Sequence, residues 1–211
     1  TTWAQVTTTT TPGGLANHGM AYDIVRSRVV VYGGLADSSF PIAAGETWEY
    51  DGTDWTLIAT AASPGPRQDV AMCYHAGMQR TVMFGGVDPQ VGGFGDTWTF
   101  DGTNWARLTI AGPTPSPRTL SKMVYDARRN VCVMYGGMDA TNGTLINETW
   151  EFDGTSWTQI TSPVNPSDRR SFGYSMDHGR NTAVLFGGLD ARFTELDDTL
   201  EFGATFRSFG Q

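Results

Sequence analysis

The sequence is poor in the groups that most chemistry needs. Two cysteines, three histidines and a single lysine, Lys122, are all that 211 residues supply. Cys73 and Cys132 read as two buried thiols packing as small apolar groups, and nothing in their placement supports a disulfide. His18, His75 and His178 are scattered, and one imidazole without a nucleophile beside it makes no triad. No catalytic residue, metal or cofactor is assigned. No apolar run approaches the ~20 residues that cross a bilayer, so membrane insertion is not expected. Positive charge is also short: 14 basic against 22 acidic residues leave a net charge of -8. A nucleic-acid backbone would be repelled rather than bound, which excludes nucleic acid as a partner. The skew from lysine toward arginine, with abundant threonine, points to an extracellular or secreted protein.

What is plentiful is glycine, at 26 residues, and aromatic side chains, at 12%. Both fall into one pattern repeated four times. An apolar strand ends in Gly-Gly, a Thr-Trp step follows, and an Asp-Gly turn leads to a second large aromatic. The Gly-Gly pairs begin at Gly33, Gly85, Gly136 and Gly187. A period near fifty with this content marks stacked four-stranded blades, none of which can cover its own faces. The runs before each Gly-Gly, such as Val29 to Tyr32 and Thr81 to Phe84, are apolar without alternation, as strands covered on both faces are. Asp51-Gly52, Asp101-Gly102 and Asp153-Gly154 predict three tight hairpins.

Paired glycines after an apolar strand, a spaced tryptophan, and a Pro-Arg step opening the repeat (Pro66-Arg67, Pro117-Arg118) resemble the kelch motif. The resemblance covers essentially the whole chain. It implies an all-β kelch-type β-propeller of four blades, each with four antiparallel strands. The repeats run over about 12–60, 64–110, 115–161 and 166–209 within a single propeller domain, 1–211.

The ends are less regular. Trp3 aligns with Trp55, which makes residues 1–6 an extra outer strand expected to close the last blade. Residues 204–209 supply a degenerate strand for the same place. Three outcomes stay open: a closed monomer, exchange of the surplus strand between copies, or a piece of a larger propeller. Exchange has a physical basis, because an unpaired strand edge is a template for pairing.

In such a fold the turns before each first strand and the loops between second and third strands share a face. Arg67, Arg118, Arg169 and Arg170 come from the first set, with His18 beside them, and Asp88, Asp139 and Asp190 from the second. Guanidinium groups near the axis could hold an acidic sugar, as a carbohydrate-active kelch enzyme or lectin would. They could equally tie blades together through carboxylates and carbonyls. The loops also carry Phe40, Ile42, Phe94 and Phe193, which with Trp3 are candidate contacts for a protein partner or for self-association. Asn142 and Asn147 begin Asn-x-Thr sequons and are candidate glycan acceptors. The reading that best fits the whole is a non-catalytic extracellular binding or assembly module.

Overall fold

The computed structural model describes residues 1–36, 43–163 and 165–203, and these contain strands and turns but no helix. They form a four-bladed β-propeller. Blade 1 is an antiparallel meander of Gly19–Asp23, Arg28–Tyr32, Thr47–Tyr50 and Trp55–Ile58. Blade 2 follows with Ala71–His75, Arg80–Phe84, Thr97–Phe100 and Trp105–Arg107, and blade 3 with Lys122–Asp126, Val131–Tyr135, Thr149–Phe152 and Trp157–Ile160. Blade 4 has Gly173–Asp177, Thr182–Phe186 and Thr199–Phe202 among the described residues. Register is shared: Tyr32 lies opposite Thr47, Phe84 opposite Thr97, Tyr135 opposite Thr149 and Phe186 opposite Thr199. Any position in one blade can therefore be compared with its counterparts.

The three Asp-Gly hairpins form as the sequence predicts. Asp51 Oδ1 accepts from the Thr53 amide at 2.8 Å, the Asp54 amide at 2.9 Å and the Thr53 hydroxyl at 2.6 Å. Asp101 and Asp153 do the same for their own turns. The Thr53 hydroxyl and the two amides hold the Asp51 carboxyl down to about 2.

The Gly-Gly pairs let neighbouring blades approach. Gly85 has φ +69°, and a Cβ there would sit 2.5 Å from the Arg118 carbonyl. The amide of Gly86 donates to that same carbonyl at 2.9 Å. Only glycine supplies both the left-handed backbone and the clearance.

The core lies between blades rather than within them. Ala21, Val30 and Tyr32 of blade 1 pack on Met72, Met83, Phe100 and Trp105 of blade 2. Trp105 meets Tyr32 edge-on, centroids 4.9 Å apart, and its indole N–H donates to Thr47 Oγ1 at 2.8 Å. One blade on, Trp157 meets Phe84 at 5.2 Å and donates to Thr97 Oγ1 at 2.9 Å. Each indole thus fills the neighbour's apolar face and satisfies the neighbour's buried threonine. At the third junction Tyr135 packs on Phe172 and Leu185. Cys73 and Cys132 meet across the second junction as free, buried thiols, their sulfurs 3.0 Å apart, and burial pushes the Cys132 thiol well up. Blade stacking, not strand type, is what sets first-strand Cys73 against second-strand Cys132.

Residues 1–6 form no strand, so the expected closure of the last blade by the N-terminal strand is not made. The Thr9 and Thr10 amides bond Asp54 Oδ1 at 3.1 and 3.0 Å. That carboxylate fastens the segment to the outer hairpin of blade 1, and Trp3 stands fully exposed.

Candidate functional site

The turn before each first strand pairs with its own blade's second-to-third loop, at Ala16–Leu35, Gln68–Val87, Arg118–Asp139 and Arg170–Leu189. These pairings gather the sequence-predicted residues on one face. Phe40 and Ile42 lie outside the described residues.

Arg67, Arg118 and Arg169 are almost completely buried. The main chain of each belongs to one blade and its guanidinium to the next. The Arg67 carbonyl accepts from Gly34 of blade 1 at 3.0 Å, while Nη1 donates to Gly85 O at 3.1 Å and Asp96 Oδ1 at 2.7 Å in blade 2. Arg118 repeats this between blades 2 and 3, its carbonyl taking the Gly86 amide and Nη2 donating to Glu148 Oε2 at 2.6 Å. Arg169 closes the series between blades 3 and 4 with a two-pronged pair to Asp198, at 2.5 and 2.7 Å. The planar five-donor fork suits a carbonyl and a carboxylate at once. None of the three lines the cavity on the axis.

The loop aspartates shape their own loops. Asp88 Oδ1 accepts from the Gln90 amide at 2.7 Å, Asp139 Oδ1 from Thr141 at 2.8 Å, and Asp190 Oδ1 from Arg192 and Thr194, both at 2.8 Å. The Thr194 amide leads in holding the Asp190 carboxyl below the usual range. Among the described residues no three His, Cys, Asp or Glu side chains gather as a metal site.

Two aromatic positions have opposite fates. Phe94 is half-buried beneath the Arg67 guanidinium, 3.8 Å from its ring centroid. Phe193 is 67% exposed at φ +61°, with the Arg170 guanidinium 4.5 Å from its ring. Asn142 and Asn147 are both exposed, leaving their sequons accessible.

On the axis lies a polar cavity of about 220 Å3 lined by Asn17, His18, Asp69, Val70, Leu120, Ser121, Lys122, Ser171 and Phe172. His18 was legible in the sequence as a lining residue; Asn17, Asp69, Lys122 and Ser171 were not. Asn17, Asp69, Leu120 and Ser171 occupy one repeat position, each with φ between 54° and 59°. The Asp69 amide donates to Asn17 O at 2.8 Å and the Leu120 amide to Asp69 O at 3.1 Å, so the turns hold one another around the mouth. The available signal was variability: this position changes type in every repeat while the arginine two residues earlier recurs in three of the four.

Burial pushes the Asp69 carboxyl up to about 6, against a smaller opposing pull from Lys122. Folding therefore favours the neutral acid. Its contribution to stability is complete below about pH 4 and is lost as pH rises through 6. Asp69→Asn, which suits a left-handed backbone, is expected to match the parent at pH 4 and to exceed it by about 1–2 kcal/mol at pH 7.5, allowing for solvent screening. Urea unfolding at the two pH values measures the difference.

The KLHDC2/KLHL20/DRC7 Kelch-repeats domain model matches residues 1–188. Comparison with curated proteins gives no match. Among the described residues no helix is long and apolar enough to cross a membrane.

Proposed function

The chain belongs to the kelch-repeat family, and from that premise we propose that it is a non-catalytic, extracellular binding module whose loop face takes a protein partner. Phe193 carries the reading. A large apolar side chain held exposed at positive φ is costly to keep, and such strain clusters at functional positions. Arg170 stacks on the ring and orders it. An aromatic–arginine pair beside a polar cavity has the composition of an interface anchor. The exposed sequons at Asn142 and Asn147 agree with an extracellular setting.

Panning a displayed peptide library against the immobilised protein tests the reading. Selected binders should lose at least ~10-fold in affinity on Phe193→Ala and on Arg170→Ala. They should be unaffected by His178→Ala, whose turn joins first and second strands at the other end of blade 4. Binders indifferent to Phe193 and Arg170 would show that the loop face is not the recognition surface. Self-association is the second part of the reading, supported by Trp3, a fully exposed indole on residues 1–6, which form no strand.

A further inference from the structure

The junction between blades 2 and 3 depends on neither end of the chain, and it holds both thiols. Cys73 and Cys132 stand 59 positions apart in the sequence, on the first strand of one blade and the second strand of the next. Blade stacking brings their sulfurs to 3.0 Å, with the Cys73 S–H donating to Cys132 Sγ. A disulfide bond is about 2.05 Å long, so closing the pair asks each sulfur to move by roughly half an ångström.

The backbone around the pair is clamped from both sides. Toward the loop face the Leu120 amide of blade 3 donates to Asp69 O of blade 2 at 3.1 Å. Toward the other face the Gly77 amide of blade 2 donates to the Tyr125 hydroxyl of blade 3 at 3.2 Å, and that hydroxyl donates to Asn130 Oδ1 at 2.7 Å. Between the clamps the thiols share one apolar cluster with Val82, Met134 and Phe152. Their access differs. Cys73 lines a cavity on the axis beside Met72, Tyr74, Met123 and Tyr125, whereas Cys132 is 0% exposed behind it. Burial raises the Cys132 thiol well above its ordinary range, which keeps it protonated and unreactive by itself at neutral pH.

We propose that Cys73 and Cys132 are a redox pair, which a peroxide arriving along the axis joins as a disulfide between blades 2 and 3. The Cys73 sulfur, having lost its proton, attacks one oxygen of hydrogen peroxide. The O–O bond breaks, the departing hydroxide takes up that proton as water, and Cys73 becomes a sulfenic acid. The Cys132 sulfur then attacks Cys73 Sγ: the S–S bond forms, the S–O bond breaks, and the hydroxyl leaves as water with the Cys132 proton. Two thiols give up two electrons and two protons, and one peroxide becomes two waters. The link closes a long loop of chain, so it restricts the unfolded state far more than the folded one. The inference is independent of what the loop face binds and of self-association.

The test treats the reduced, folded chain with hydrogen peroxide, then unfolds and alkylates it for mass spectrometry. The expected product has lost two hydrogens, takes no alkyl group at either cysteine, yields a Cys73–Cys132 linked peptide, and reverts with dithiothreitol. Its melting temperature should exceed that of the reduced chain by about 5 °C or more. Met20, 60% exposed, gauges the oxidant dose through its sulfoxide. Cys132→Ala should leave Cys73 as a sulfenic acid that dimedone captures, and Cys73→Ala should leave Cys132 reduced. Both thiols still alkylated once Met20 is oxidised, or a link formed only in urea or between two chains, overturns the proposal. A linked chain that melts lower than the reduced one overturns the preformed geometry, and oxidation of Cys132 in Cys73→Ala overturns the order of attack.

Discussion

Trp157→Ala is expected to cost about 3–5 kcal/mol of stability, read from urea or thermal unfolding. The indole is buried to 2%, meets Phe84 edge-on, and leans on Phe152 of its own blade at 5.0 Å. Its removal leaves a cavity at the second junction, and it leaves the buried Thr97 hydroxyl without the indole N–H that reaches it at 2.9 Å. Trp157→Phe separates these contributions, keeping most of the ring contact and losing the hydrogen bond, for about 1–2 kcal/mol. Trp55→Ala is the internal control. The same motif stands there on a bare blade face, only half-buried, so its loss should cost less than half as much.

Arg67→Ala should be comparably severe, about 3–5 kcal/mol, because it strands a partly buried carboxylate and a buried carbonyl together. Burial pushes the Asp96 carboxyl up, but Arg67 and the Trp98 indole, at 2.7 Å, outweigh it and hold the group below its ordinary value. A depressed carboxyl contributes stability that is present above its ordinary pKa, near 4, and is lost as pH falls through the folded value. Without the guanidinium that contribution disappears. The deficit of the variant should therefore be largest near neutral pH and shrink as Asp96 becomes protonated in acid, which parallel unfolding curves would show. Arg67→Lys should rescue little, since an ammonium cannot reach Gly85 O, Pro64 O and both Asp96 oxygens in one plane.

Blade number, hairpin positions and the tryptophan ladder were legible because each is written several times over. Gly-Gly, Asp-Gly and Thr-Trp are local devices whose geometry follows from a few neighbouring residues. The arginines were legible as a set but not in their allegiance: Arg67, Arg118 and Arg169 could have faced the axis, and only the placement of Asp96, Glu148 and Asp198 shows where their donors go. The axial cavity was hidden for the opposite reason. Asn17, Asp69, Leu120 and Ser171 share a backbone conformation and no chemistry, so a search for recurring residue types passes over them.

The arginine clasps have a mechanical corollary. Because each one is rooted in one sheet and grips the next, a sheet that peels away takes with it an anchor its neighbour was using. Damage at one junction should then pass to the next sheet rather than stay local, and it would reach the Cys73–Cys132 seam by that route.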